Sequence, residues 1–398
     1  MAGWGAAALA AAAVASGCAD APATAVTECE AEIGIGAVAT DIVFVVDDSL
    51  SMAEEQENLR QNLATFVDLL AAAPVQNDFR IGVTNTSVTG YGGETAYDAG
   101  PNAGPPAVPY PAGALVAIAR DGAGAALAGT LVYDATGGVF GGARVLDAGS
   151  ATLVDDFKAN VLQGVAGSGK EQPFAAIQGA LAASVAGGVN AGFLRPGARL
   201  AVVILTDEDD CTDPAGVAAT NTACQDTDVK AQLLPVGDVV SFLQGPLDGE
   251  LRDPIVAVIA GFDPASATLE PTGCATSFAD PTRLDALVAA LGPERAFKDS
   301  ICDPDFGPGL QAIADLLVPQ TVPLENAPSD LRMLVVSVEK PDGSVTGCPI
   351  AAAGTPEAAA AGAVYTPPGA DGPATLTFQG ACRLRASDRL DVRIVCAG

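Results

Sequence analysis

A doubly wound α/β fold, with a mostly parallel sheet covered by helices on both faces, is what this chain predicts. Three observations predict it. Apolar strand-like runs alternate with helical patterns from residue 41 to about 319, and two of those runs end in acids. With 398 residues and 49% hydrophobic content, the chain can also bury a full core.

The first run, Asp41-Ile42-Val43-Phe44-Val45-Val46, is uniformly apolar after its first residue and reads as a strand buried on both faces. It leads straight into Asp47-Asp48-Ser49-Leu50-Ser51-Met52. Over 52–72, Leu59, Leu63, Phe66, Val67 and Leu70 recur at the 3.6-residue period and predict a helix with one apolar face. Residues 79–84 read as the next strand. From about 88 to 142 the chain is rich in Gly and Pro, which predicts an insertion or elaborated hairpin at a sheet edge. Helical patterns at 153–162 and 174–183 precede a strand at 200–205 that ends in Thr206-Asp207-Glu208-Asp209-Asp210. A helix at 236–243, a strand at 255–260, a helix at 284–291, a short strand around Ala296 and a helix at 310–317 continue the alternation. After Pro319, strand-like pieces at 334–338, 374–378 and 390–395 stand between Pro/Gly turns, so 330–398 is expected to be a small disulfide-bearing β module.

Charge and composition exclude several functions. Forty-eight acids against 19 bases give a net charge of −29, and binding phosphate needs a basic footprint that is nowhere concentrated here, so no nucleic-acid partner is expected. An acidic surface favours solubility and cation capture. The chain has no His, which removes the commonest general base, the usual zinc ligand and the Ser-His-Asp type of triad. No nucleophile–base pair is visible either, so a binding protein is expected and not an enzyme.

Residues 1–18 form an Ala-rich apolar leader ending Val14-Ala15-Ser16-Gly17-Cys18, which resembles a bacterial lipobox in which the signal is removed and Cys18 carries the lipid. A plain secretory signal or an uncleaved apolar N-terminus is the other reading. Residues 19–40 then act as a tether. With Cys18 lipidated, Cys29, Cys211, Cys224, Cys274, Cys302, Cys348, Cys382 and Cys396 remain, an even set suited to four disulfides in an oxidising compartment. No paired CxxC is present, and no later apolar run is long enough to span a bilayer. The expected location is outside the cytoplasm, as an outer-membrane or periplasmic lipoprotein or at the cell surface, with membrane contact through the lipid alone.

The informative constellation is an Asp-x-Ser-x-Ser loop after one apolar strand and Leu205-Thr206-Asp207 after another. Parallel strands that each end in an acid can converge at the carboxyl edge of a sheet, where open α/β folds place ligands. An acid and two hydroxyls there supply the oxygen ligands a hard divalent cation prefers. Blander readings exist for parts of the pattern. Ser51 and Glu54 spell a capping box, and the acid run Glu208, Asp209, Asp210 and Asp213 reads as a solvated loop. The segment 164–171 nearly spells a phosphate-binding loop, but Glu171 stands where a Ser or Thr is needed and would repel phosphate. Cys211 and Cys224, 13 positions apart, suggest a local disulfide pinning the acid loop, with Cys274–Cys302 next and the last three cysteines left to pair with Cys29.

On these residues, the stretch from about 40 to 319 resembles the von Willebrand factor type A (VWA) domain, and within it the secreted VWA lipoproteins of high-GC Gram-negative bacteria. The resemblance implies a Rossmann-like doubly wound sheet and a metal-ion-dependent adhesion site (MIDAS), built from an Asp-x-Ser-x-Ser loop, a Thr from a second loop and an Asp from a third. Asp47, Ser49 and Ser51 match the first loop and Asp207 the third, 207 − 47 = 160 residues on. No Thr stands in 167–172; Ser168 is the nearest substitute and Glu171 the second. The family pattern implies Mg²⁺, or Mn²⁺ or Ca²⁺, held by neutral hydroxyls with the aspartates acting largely through water, so that an open position accepts a carboxylate from a protein partner. Cation-dependent protein binding or adhesion at the cell envelope is therefore expected. A non-catalytic scaffold or envelope-assembly module with a degenerate metal site is the alternative, supported by the missing Thr.

Overall fold

Strand β1, Val38–Val46, lies at the centre of a six-stranded sheet, and its side chains from Ile42 to Val46 are wholly buried. The computed structural model describes residues 30–88, 113–134, 139–165, 167–218, 221–252, 254–370 and 372–395. The proposed leader, Cys18, the first half of the tether (19–29, with Cys29) and Cys396 lie outside them.

The other strands of this sheet are β2 (Asn77–Asn85), β3 (Val145–Asp147), β4 (Arg199–Leu205), β5 (Ile255–Ala260) and β6 (Ala296–Ser300). Their order is β3-β2-β1-β4-β5-β6, parallel throughout except for β3, which runs antiparallel to β2. The order reverses between β1 and β4, so the connections leaving these two strands diverge and open a crevice at their carboxyl ends. Asp47 and Asp207 stand at that point.

Strand alternation divides the core in two. Ile42, Phe44 and Val46 face helices α1 (Ala53–Ala71), α2 (Leu153–Asn160) and α6 (Gly307–Leu317), with Phe44 edge-on to Phe66 at 5.9 Å and to Phe157 at 4.9 Å. Val43 and Val45 face α3 (Pro173–Ala182), α4 (Val236–Gln244) and α5 (Thr282–Leu291) through Phe174, Ile177, Leu243 and Leu284. Helices therefore cover both faces of a mostly parallel sheet, as the alternating apolar runs predict.

The insertion is anchored at its return. Ala114 to Ile118 are buried, Val116 N–H donates to the Val83 carbonyl at 2.9 Å, and Asn190 Oδ1 accepts from Leu115 N–H at 2.8 Å. Two short hairpins follow, Ile118–Arg120 with Ala126–Leu131 and Tyr133–Asp134 with Val139–Phe140, and then the edge strand β3.

Beyond α6 the chain builds two four-stranded sheets. One orders Glu30–Glu32, Arg389–Val395, Leu334–Glu339 and Val345–Gly347; the other orders Thr321–Pro323, Thr375–Phe378, Ala363–Thr366 and Ile350–Ala352. This unit thus recruits two strands from before the range 330–398, Glu30–Glu32 and Thr321–Pro323. Its Val336, Val338, Leu376 and Phe378 share the α6-side core, and Cys348–Cys382 cross-links it. Disulfides also join Cys211 to Cys224 and Cys274 to Cys302, the pairings suggested by their spacing. The three disulfides among the described residues fit an oxidising compartment, and among the same residues no helix is long and apolar enough to cross a membrane.

Candidate functional site

Strand β1 carries its register one residue past its end: Asp47 N–H donates to the Leu205 carbonyl at 2.9 Å, which sets the two strand tips side by side. The Asp47 carboxylate then organises both loops. Its Oδ1 accepts from Ser49 N–H at 2.8 Å and its Oδ2 from the Thr206 hydroxyl at 2.6 Å. Gln56, on the first turn of α1, donates to the Asp47 carbonyl at 2.7 Å and to the Gly164 carbonyl at 2.8 Å, and accepts from Gly164 N–H at 3.1 Å. One amide therefore ties the Asp-x-Ser-x-Ser loop to the segment before α3.

The capping-box reading of Ser51 and Glu54 does not hold. Met52 is the residue that caps α1, without a side-chain bond, because the loop turns one residue later than that pattern requires. Ser51 instead lies 3.2 Å from the Ser49 hydroxyl and beside the Asp207 carboxyl.

Among the described residues, Asp47, Asp207 and Glu171 have no cation of the protein's own. Asp47 and Glu171 are fully buried and Asp207 is 1% exposed. Among the described residues no group stands within hydrogen-bond geometry of either oxygen of Asp207 or Glu171, although Ser51 and Glu208 lie beside them, and none of the three carboxylates is paired with a Lys or Arg. Burial raises the Asp47 carboxyl well above its usual range, with the charges of Asp207 and Glu208 adding to it. Glu171 is raised in the same way, by burial and then by Asp47 and Glu208. Burial pushes Asp207 up to about 7, against the Ser51 hydroxyl and together with Glu208 and Glu55. An uncompensated buried carboxylate costs several kcal/mol, so this crevice is stable only with protons or a cation in it.

Of the two substitutes for the missing Thr, the structure places Glu171 in the crevice and Ser168 beside it. The Ser168 hydroxyl accepts from Lys170 N–H at 3.1 Å, and Ser168 N–H donates to Ser87 Oγ at 2.8 Å. Ser87 in turn donates to Asp48 Oδ1 at 2.7 Å, and burial pushes Asp48 up to about 7. Ser168 thus belongs to a hydrogen-bonded layer behind Asp48. Gly167 seals that layer: its N–H donates to the Asp48 carbonyl at 2.6 Å, and a Cβ there would overlap the Asp48 carboxyl. Gly167→Ala should cost about 1–3 kcal/mol in urea unfolding, the range for overpacking. Gly237→Ala, at an exposed position of α4 with open space at the Cβ, should instead stabilise by about 0.5–1 kcal/mol.

The acid run after β4 is not solvated. Asp209 accepts from Thr282 Oγ1 at 2.8 Å and from Arg283 N–H at 2.9 Å, at the amino end of α5. Asp210 accepts from Phe174 N–H at 2.9 Å, at the amino end of α3, and pairs with Arg283 at 3.0 Å. Asp213 is paired with Lys170 at 3.3 Å and accepts from Ala218 N–H at 2.7 Å. Helix amino ends present unsatisfied N–H groups and positive potential, so these acids are buried where they are needed. The Cys211–Cys224 disulfide closes the same loop, with Cys211 N–H donating to the Glu171 carbonyl at 2.8 Å.

All the candidate ligand atoms are oxygens: the Asp47, Asp207, Glu171 and Glu208 carboxylates and the Ser49 and Ser51 hydroxyls. That set suits a hard divalent cation, and two carboxylates with unpartnered buried oxygens fit such an ion. Among the described residues no three Cys, Asp or Glu side chains form a metal cage by themselves, so a cation here would depend on the serine hydroxyls or on water. Gln56, Thr206 and Glu208 shape the site without having been singled out as ligands; Thr206 alone carried a signal, its place between the strand and Asp207.

No family model matches the chain, and no curated protein matches it. Solved structures do. Proximal thread matrix protein 1 from the mussel byssus aligns at 12% identity and TM-score 0.34 over 74% of this chain and 50% of that one. The same protein with a zinc-occupied MIDAS motif aligns at 12% identity and TM-score 0.31 over 73% and 50%. The pilus adhesin SpaC from Lactobacillus rhamnosus GG, in its open conformation, aligns at 12% identity and TM-score 0.40 over 90% and 38%. This chain thus spans about half the length of the mussel protein and about two fifths of the adhesin. At these scores the likenesses locate no site in this chain.

Proposed function

We propose that the crevice between β1 and β4 holds a divalent cation, Mg²⁺ first and Mn²⁺ or Ca²⁺ next, and that the protein binds an acidic side chain of a protein partner there, as a VWA domain with a MIDAS-type site. The observation that carries this reading is the burial of Asp207 and Glu171 with all four carboxylate oxygens unpartnered, beside the Ser49–Ser51 hydroxyl pair. The strand order β3-β2-β1-β4-β5-β6, with its reversal at the site, supports the same family assignment. Asp47, Ser49, Ser51 and Asp207 would hold the ion, with Glu171 in the place of the family's Thr. When bound, the cation supplies a positive centre with a position open to a partner's carboxylate. Asp47 orients Ser49 through its backbone N–H, Gln56 holds the two loops together, and the buried floor excludes water. The reading is of recognition and not of catalysis. The disulfides among the described residues and the lipobox-like leader support export, with anchoring at Cys18 as part of the same proposal.

One observation favours a second reading. Glu171 puts an additional carboxylate where the family places a neutral hydroxyl, which would leave the cation a weaker acceptor for a partner's acid. On that reading the ion clamps the loops of a scaffold or envelope-assembly module.

Calorimetric titration of Mg²⁺, Mn²⁺ and Ca²⁺ tests the site. The wild type should bind and melt higher with the ion, by about 2.7 kcal/mol at a hundred times Kd, and Asp47→Ala should show neither effect. Absence of heat and of any melting shift in the wild type would sink the cation. A pull-down that is unaffected by chelator, from a protein that does bind the ion, would favour the scaffold.

A further inference from the structure

The start of α1, with Thr276 and residues 301–304 opposite it, encloses a groove of about 550 Å³. Its polar lining is Glu54, Glu55, Glu57, Asn58, Gln61, Thr276 and Asp303, with no Lys or Arg among the lining residues. Glu57 is partnered by Arg60 at 2.5 Å, but Glu55 is not: it is 8% exposed, and its Oε2 has no hydrogen-bond partner. The walls are held in place. Asn58 Nδ2 donates to the Asp303 carbonyl at 3.3 Å, Thr276 N–H donates to Cys302 Sγ at 3.2 Å, and Cys302 is in disulfide linkage with Cys274.

This groove adjoins the crevice through both of its walls: Ala53 and Glu54 line it just past Ser51, and Thr276 lines it two residues before Phe278, whose N–H donates to the Asp207 carbonyl at 2.9 Å. Two large apolar side chains stand exposed on the loops between them. Leu50, inside the Asp-x-Ser-x-Ser loop, is 82% exposed, and Phe278 is 58% exposed while its N–H donates to the Asp207 carbonyl at 2.9 Å. A lone ion needs room for little more than a few waters of about 30 Å³ each, so a space of this size with a preset acid at its wall suits a long side chain better. We propose that the groove takes a cationic side chain, arginine before lysine, from a protein segment whose neighbouring carboxylate meets the crevice, with Leu50 and Phe278 as its apolar contacts. This rests on the proposed cation site. Arginine is preferred because its planar fork can satisfy Glu55 Oε2 and a second acceptor together. Chain-wide negative charge adds a long-range attraction for such a segment.

The test uses the full chain on an array of peptides, each with a central Asp and with Arg, Lys, Ser or Glu walked through the flanking positions, in Mg²⁺ and in EDTA. Arg at one or two spacings should bind about tenfold better than Ser there, and the preference should shrink at 1 M salt. Glu55→Gln, and independently the exposed Glu54→Gln, should flatten the Arg preference to about twofold or less while the central Asp is still required. Equal binding of Arg and Ser peptides, an Arg preference that survives both variants, or no binding by any peptide overturns the groove. Mg²⁺ titrated alone gives the remaining check: a bound ion lost in Glu55→Gln, with the crevice ion retained, makes the groove an ion site and overturns the proposal. Failure of the cation reading is distinct, because Arg preference would then persist in EDTA with no need for the central Asp.

Discussion

Asp41→Ala should lower the free energy of unfolding by about 3–5 kcal/mol, the range for breaking a buried ion pair from one side. Asp41 is fully buried in β1, near the amino end of the sheet. Its carboxylate accepts from Arg195 N–H and from Arg195 Nε, each at 2.7 Å, and the Arg252 guanidinium lies 4.0 Å away. Arg195 also holds Asp78 at 2.8 Å, and Arg252 donates to the Arg195 and Ala198 carbonyls at 2.8 Å. Burial raises the Asp41 carboxyl even though Arg195 and Arg252 pull it down, so the pair offsets its own desolvation only in part. Deleting one partner is the costlier change. It would leave the Arg252 side chain, 2% exposed and with Nε already unpartnered, next to a methyl group. Urea unfolding checks this: the midpoint should fall at unchanged m, and Mg²⁺ binding at the other end of the sheet should persist in the folded variant. A loss under about 1 kcal/mol would show Asp78 and Glu250 taking over the charge balance.

The central sheet was legible because β1 over Ile42–Val46, β4 over Leu200–Leu205 and β5 are apolar on both faces, a pattern that two helix layers satisfy. Ile255–Ala260 shows this best: six buried apolar residues with no polar interruption, predicted with the bounds the strand has. Strand β3 was not legible, since Val-Leu-Asp is too short to carry a period and owes its place to pairing with β2. The same holds for Val345–Gly347 and Ala363–Thr366. At the site, Asp47 and Asp207 could be paired from sequence because both follow apolar strands, and the fold brings such ends together. The burial of Asp209 and Asp210 could not, because their partners are helix amino ends 73 and 36 residues away. Nothing local distinguishes a solvated acid run from one that caps two distant helices. Gln56 is equally silent: its bond to Gly164 spans 108 residues.

With divalent cations chelated, the protein should lose stability as pH rises from about 4 to about 7, and Mg²⁺ should restore much of it at neutral pH. Asp207 sets the window. Unfolded, it titrates near 3.8; folded, burial pushes it up to about 7. Between those values the folded form keeps a proton that the unfolded form has released, so each rise in pH favours unfolding. Below the unfolded value both forms are protonated and the contribution is fully present; above the folded value both are ionised and it is gone. Asp48 acts in the same window, raised by burial to about 7, and Asp47 and Glu171 are raised in the same direction. A rise from 3.8 to about 7 corresponds to about 4 kcal/mol for one group, and acids that share protons contribute less than the sum of their separate effects. In the proposed site a cation would replace those protons. Its stabilising effect should therefore be small at pH 5, where it competes with them, and largest at pH 7 and above. Chemical unfolding at pH 5, 6, 7 and 8, in EDTA and in Mg²⁺, separates the cases: a falling line in EDTA and a flatter one in Mg²⁺ are expected. Stability in EDTA that rises between pH 5 and 7, or a Mg²⁺ effect equal at both ends, would mean that these acids are not held together in the folded protein at the cost their burial implies.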